Sequence, residues 1–147
     1  MARRTFFSFD YRYVWKVNQI RNIPNVTGVA AAGFADASIW GKAKRTSDAA
    51  IKRMIDDALK NTTVTVVFVN SATARRKFIN YEIDQSLARG SGLVAVRIHK
   101  LKDKNGNTGS PGAIPAQIEA NDFKAYQYSD KDRLAAWVEE AAKIAGK

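Results

Sequence analysis

Two hydrophobic rhythms alternate along the chain. Phe6-Phe7-Ser8-Phe9, Val64-Thr65-Val66-Val67-Phe68-Val69 and Leu93-Val94-Ala95-Val96-Arg97-Ile98 are short, β-branched or aromatic runs with few polar breaks, the signature of buried strands. The Thr63 to Val69 run is apolar on both alternating faces, which predicts the centre of a sheet. Between these runs the apolar positions recur at helical spacing. Ile51, Ile55, Ala58 and Leu59 predict a helix within Thr46 to Asn61, capped by Thr46 or Ser47. Phe78, Ile79, Ile83 and Leu87 predict a second, ending near Gly90-Ser91-Gly92. Leu134, Trp137, Val138 and Ala141 predict a terminal helix, which Ser129 and Asp132 would open as a capping box.

The weaker segments fill in around these. Val14, Val17 and Ile20 suggest a helix that Asp10 could cap and Pro24 stops. Asn25 to Ala35 fits either a loop or a weak second strand, and Ala125 to Tyr128 suits a final edge strand. Lys100 to Gly112, rich in glycine and polar residues, predicts a mobile surface loop, while Gly112 to Asp122 has no decisive pattern. Strand, helix and strand at these spacings form right-handed parallel crossovers. Their repetition predicts a three-layer α/β domain with an open parallel sheet, and no linker or repeat divides residues 1–147.

One residue breaks the pattern. With about 100° between successive helical residues, Glu82 projects between Phe78 and Ile79 on the greasy arc of the second helix. A buried ionised glutamate costs several kcal/mol unless it is paired. Either a cation balances it, for which Arg75 on nearly the same arc is the candidate, or it is held for work on a ligand. Asp84 points outward.

Composition narrows the chemistry. There is no cysteine and only one histidine, His99, so thiolate chemistry is excluded, histidine-pair metal sites are removed and histidine catalysis is disfavoured. His99 at a strand end is read as structural. The apolar run after Met1-Ala2-Arg3-Arg4 is too short for a signal peptide and no stretch reaches membrane-spanning length, so a soluble, cytoplasmic protein is expected. The net charge of +10, from 24 Lys and Arg against 14 Asp and Glu, attracts anions in general. The basic residues fall in small groups such as Arg75-Arg76-Lys77, which favours a phosphate-bearing small ligand or plain solubility over nucleic acid.

Open parallel sheets bind ligands beyond the carboxyl ends of their strands. Ser8, Phe9 and Asp10 after the first strand, Asn70 and Ser71 after the central one, and Glu82 would converge there. Asp36, Ser38 and Trp40 offer the acid, hydroxyl and flat surface suited to a ribose and a base. Phe6 and Phe7 are more simply core residues, Ser71 could be only a turn residue, and Trp40 could equally be packing. Neither a Gly-x-Gly-x-x-Gly fingerprint nor a Gly-x-x-x-x-Gly-Lys loop is present. A lone working glutamate suits glycosidic bond cleavage, where a carboxylate stabilises positive charge as a good leaving base departs.

Phe6-Phe7-Ser8-Phe9-Asp10-Tyr11, Phe34-Ala35-Asp36-Ala37-Ser38-Ile39-Trp40, Val67-Phe68-Val69-Asn70-Ser71 and Arg75-Arg76-Lys77-Phe78-Ile79-Asn80-Tyr81-Glu82-Ile83 together resemble the TIR-like proteins of the bacterial Thoeris anti-phage system. The similarity runs in order over about residues 3 to 106. It implies a flavodoxin-like TIR fold and an enzyme that cleaves NAD⁺ between nicotinamide and ribose, with no cofactor and no metal. The family makes a cyclic ADP-ribose signal in response to a phage-derived activator, and the signal reaches a separate effector; assembly into a homo-oligomer accompanies activation. Carried over, Glu82 is the catalytic residue, although Phe78 stands where the family commonly has tryptophan one turn earlier. Ser8, Phe9, Asp10, Asp36, Ser38, Trp40 and Ser71 become the substrate-binding residues. Competing readings are a non-catalytic TIR-type module binding partners or a nucleotide, a basic nucleic-acid-binding domain, and nucleoside deoxyribosyltransferase chemistry.

Overall fold

In the computed structural model, which describes residues 3–20, 26–29, 47–71 and 73–147, the apolar run Val64–Val69 is the middle strand of a sheet. All its residues are buried, because helices cover both faces and a strand flanks it on either side. The described strands are β1 (Arg3–Ser8), β2 (Val26–Val29), β3 (Val64–Val69), β4 (Gly92–Arg97) and β5 (Ala125–Gln127), in the order β2-β1-β3-β4-β5. Every neighbouring pair is parallel, with Ser8 opposite Val67 and Val69 opposite Arg97. The chain first builds outward from β1 to β2, then crosses back to β3 and builds the other way. The strand order therefore reverses between β1 and β3, where such sheets open a crevice at their carboxyl edge.

The described helices are α1 (Val14–Asn18), α2 (Asp48–Leu59), α3 (Lys77–Ala88), α4 (Ala116–Ala120) and α5 (Lys131–Ile144). Strand alternation sorts the core into two layers. Phe7, Val66, Phe68, Val94 and Val96 meet Val17 and Ile20 from the α1 region and Leu134 and Val138 of α5. On the opposite face Val67, Val69, Leu93 and Ala95 meet Ile79 and Ile83 of α3 and Ile118 of α4, and Phe6 meets Ile51, Ile55 and Leu59 of α2. Three layers result, as the alternating pattern predicts.

Local signals set most boundaries. Ser47 accepts a hydrogen bond from the Ala50 amide at 3.0 Å and caps α2, and Asn61 takes the left-handed turn after it at φ 66°. Gly90, at φ 70°, ends α3 where the sequence places the stop. At α5 the cap falls one residue later than the Ser129–Asp132 pairing: Asp130 accepts from the Arg133 amide at 2.8 Å. An aspartate caps as well as a serine and adds charge complementary to the helix dipole, so Asp130 wins.

The glycine-rich segment after β4 is the surface loop its composition predicts, and it is tied down at several points. Asp103 accepts from the Asn105 and Asn107 amides, and the His99 carbonyl accepts from the Gly109 amide at 2.7 Å and from Lys16 Nζ at 3.2 Å. Gly112 lies so close to the Asn70 carbonyl that a Cβ there would fall 1.9 Å from its oxygen. The segment is strapped to the ends of β3 and β4, and the ambiguous stretch beyond it forms α4.

Candidate active site

Ser8 ends β1 and faces the α3 side of the sheet, since it shares a face with Val67 and Ala95. There its hydroxyl donates to Glu82 Oε1 at 2.7 Å. Glu82 is held by its neighbours on α3: Ile79 and Ile83 bury into the sheet, while Ser86 Oγ donates to the Glu82 carbonyl at 2.8 Å and lies 2.7 Å from Thr65 Oγ1 on β3. Glu82 as a whole is only 5% exposed. Burial pushes its pKa up to about 8, against the smaller opposing pull of the Ser8 hydrogen bond.

No cation among the described residues pairs with Glu82, and Arg75 lies exposed in the 3₁₀ turn Thr73–Arg75 that precedes α3. The structural explanation in which Arg75 neutralises Glu82 thus finds no contact to rest on. Burial without a balancing charge favours the protonated form of the group.

Asp10 is also buried, and its carboxylate is occupied. Arg12 reaches it through Nη2 at 2.9 Å and Nε at 3.2 Å, and Arg76 through Nε at 2.8 Å. Burial alone would raise the Asp10 pKa, but the Arg12 hydrogen bonds and the charges of Arg12 and Arg76 outweigh it and hold the group below its usual value. The same carboxylate accepts from the Arg12 amide at 3.1 Å, so Asp10 also opens the turn into α1.

The other sequence-selected residues are distributed around this centre. Phe9 packs against the cluster containing Phe7 and Phe68, on the sheet face opposite Ser8 and Glu82. Ser71 is exposed and its hydroxyl lies 3.2 Å from the Tyr13 hydroxyl. Asn70 is buried, its amide N–H donating to Thr73 Oγ1 and its side-chain nitrogen without a partner among the described residues. Asp36, Ser38 and Trp40 lie outside the described residues. Neither Arg12 nor Arg76 is among the site residues that the sequence selects. The signal available was a basic side chain two positions after Asp10 and another just before the glutamate helix, neither of which indicates that they meet.

A parallel sheet in this order, with a dry glutamate on the helix after its central strand and a serine from the neighbouring strand end bonded to it, has the architecture of a flavodoxin-like TIR domain. A family model described as "Thoeris protein ThsB, TIR-like domain" matches residues 6–103. The chain belongs to this Thoeris TIR-like family. It is 43% identical over 132 residues to a protein of Bacillus cereus (strain MSX-D12) named "Putative cyclic ADP-D-ribose synthase ThsB1". That alignment takes in 88% of this chain and 66% of the relative, so the chain spans about two thirds of the relative's length. Among the described residues no helix is long and apolar enough to cross a membrane, and no cluster of side chains could hold a metal ion.

Proposed function

We propose that this chain cleaves NAD⁺ between nicotinamide and ribose and forms a cyclic ADP-ribose-type product in anti-phage defence. The observation that carries the reading is Glu82: buried, hydrogen-bonded to Ser8 and free of a balancing cation among the described residues. The name of the Bacillus cereus relative supports the product class.

The substrate supplies the missing charge. The pyridinium ring of NAD⁺ is cationic, and its approach favours the ionised form of Glu82. The carboxylate then accepts hydrogen bonds from the ribose hydroxyls. As the C1′–N bond breaks, its electron pair leaves with nicotinamide and positive charge moves onto the ribose, where the fixed carboxylate stabilises it in a medium that screens little. An adenine nitrogen capturing C1′ gives the cyclic product, and water gives the hydrolysed one. This chemistry calls for no cofactor. Ser71 and the segment Asp36 to Trp40 are the proposed further contacts to ribose and base. A phage-derived activator, assembly of copies on activation and a separate effector reached through the product belong to the same proposal.

The test is incubation of the purified chain with NAD⁺, with and without phage lysate, followed by mass analysis of the products. Sustained nicotinamide release that disappears in Glu82→Gln supports the reading. Release at an equal rate from Glu82→Gln overturns it.

A further inference from the structure

We infer that Arg12 and Arg76, held side by side by the buried Asp10 carboxylate, form the site for the diphosphate of the dinucleotide, a step that rests on NAD⁺ being the substrate. Asp10 is a positioning residue here: it aims two guanidinium groups and does not itself touch the ligand. This departs from the sequence expectation that Asp10 contacts the nucleotide directly.

The charge count carries the argument first. One carboxylate serves two guanidinium groups, leaving a net positive charge with two like charges adjacent. A structural ion pair would be balanced by a single arginine. The bonds to Asp10 use Arg12 Nε and Nη2 and Arg76 Nε, while the side chains remain 55% and 43% exposed. Arg12 Nη1 and both terminal nitrogens of Arg76 have no hydrogen-bond acceptor among the described residues. Planar guanidinium forks anchored at one edge and open at the other suit bidentate recognition of phosphate. α3 adds to the field, since its N-terminus carries no side-chain cap and its first turn has no acid.

Position comes next. Asp10 follows Ser8 by two residues, and Arg76 immediately precedes the helix that carries Glu82. From Arg76 to Glu82 is roughly 9 Å along the helix axis, a separation that one ribose and an arginine side chain can bridge. The carboxyl group would therefore face the reacting ribose while the arginines, just beyond the carboxyl end of β1, face the phosphates. A diphosphate brings the second anion that the Arg12–Asp10–Arg76 group lacks.

ADP-ribose binding tests this without turnover. Titration calorimetry of the wild type, Arg12→Gln, Arg76→Gln and the double variant should show affinity falling roughly tenfold or more at each step. In the wild type, affinity should also fall more steeply with added salt than in the double variant. In kinetics, the variants should raise KM for NAD⁺ and lose preference for NAD⁺ over nicotinamide riboside, which has no phosphate. Each single variant leaves the buried Asp10 one guanidinium partner; circular dichroism checks that every variant folds, and where the double variant does not, the two single variants carry the comparison. Wild type and double variant binding ADP-ribose equally, or the wild type not binding it, overturns the inference. Arginine-dependent ADP-ribose binding by a chain that releases no nicotinamide even with phage lysate present would keep this site and refute the activity. Nicotinamide release with unchanged KM in the double variant would do the reverse.

Discussion

Replacing Glu82 by glutamine gives a stability test whose sign, not only its size, separates the two explanations of that residue. The unfolded chain ionises this group near its ordinary value of 4.5, whereas the folded chain ionises it at about 8. Between these values the folded state holds the extra proton, so stability falls as pH rises from the lower to the higher. Glutamine has the same shape and no proton to lose. Each unit of pKa difference corresponds to about 1.4 kcal/mol, so the glutamate costs about 1 kcal/mol at about pH 5, about 3 kcal/mol at about pH 7 and about 5 kcal/mol at about pH 9. In a chain of this size the neutral-pH figure corresponds to a gain of roughly 6–12 °C in midpoint temperature for Glu82→Gln. Urea or thermal unfolding of both proteins across that pH range measures the difference directly, because the other titrating groups cancel. The advantage of glutamine should widen as pH rises. If glutamine is instead the less stable form, by a margin that holds steady above the ordinary value of 4.5 and shrinks as pH falls below it, the native state favours the charged carboxylate and a cation must be paired with it.

Two further substitutions probe the surroundings. Ser8→Ala removes the hydrogen bond that favours the ionised form, so the acidic limb of the pH profile of kcat/KM should move to higher pH and the rate near neutrality should drop roughly tenfold or more; an unmoved profile would mean that Ser8 does not set the glutamate's ionisation. Gly112→Ala forces a methyl group into the Asn70 carbonyl and should cost roughly 1–3 kcal/mol, read as a lower urea midpoint. A wild-type midpoint would show that the strap can lift away freely.

Much of the framework was legible because its cause is local. The apolar run at Val64–Val69 announces a strand covered on both faces, and the Ile51, Ile55, Leu59 stripe announces α2. Glu82 was legible for the opposite reason, as the one charge that the helical period placed on a buried arc. What escaped depends on pairs distant in sequence. Arg76 meets Asp10 across 66 positions, which no periodicity encodes. Gly112 against Asn70 is likewise a tertiary contact, which composition does not encode. The placement of Phe9 could have been read: strand alternation puts it with Phe7 and away from Ser8, although the functional grouping joined all three.

The strap after β4 also determines where the chain can change length. Its fixed points are the His99 carbonyl, bonded to Lys16 and Gly109, and Gly112 lying on Asn70. The turn from Asp103 to Asn107 between them is exposed and closes on itself through the Asp103 carboxylate. An inserted epitope or reporter would be absorbed at that tip. Removing a single residue between Gly109 and Gly112 would instead drag on the end of the central strand, beside the crevice where the sheet reverses.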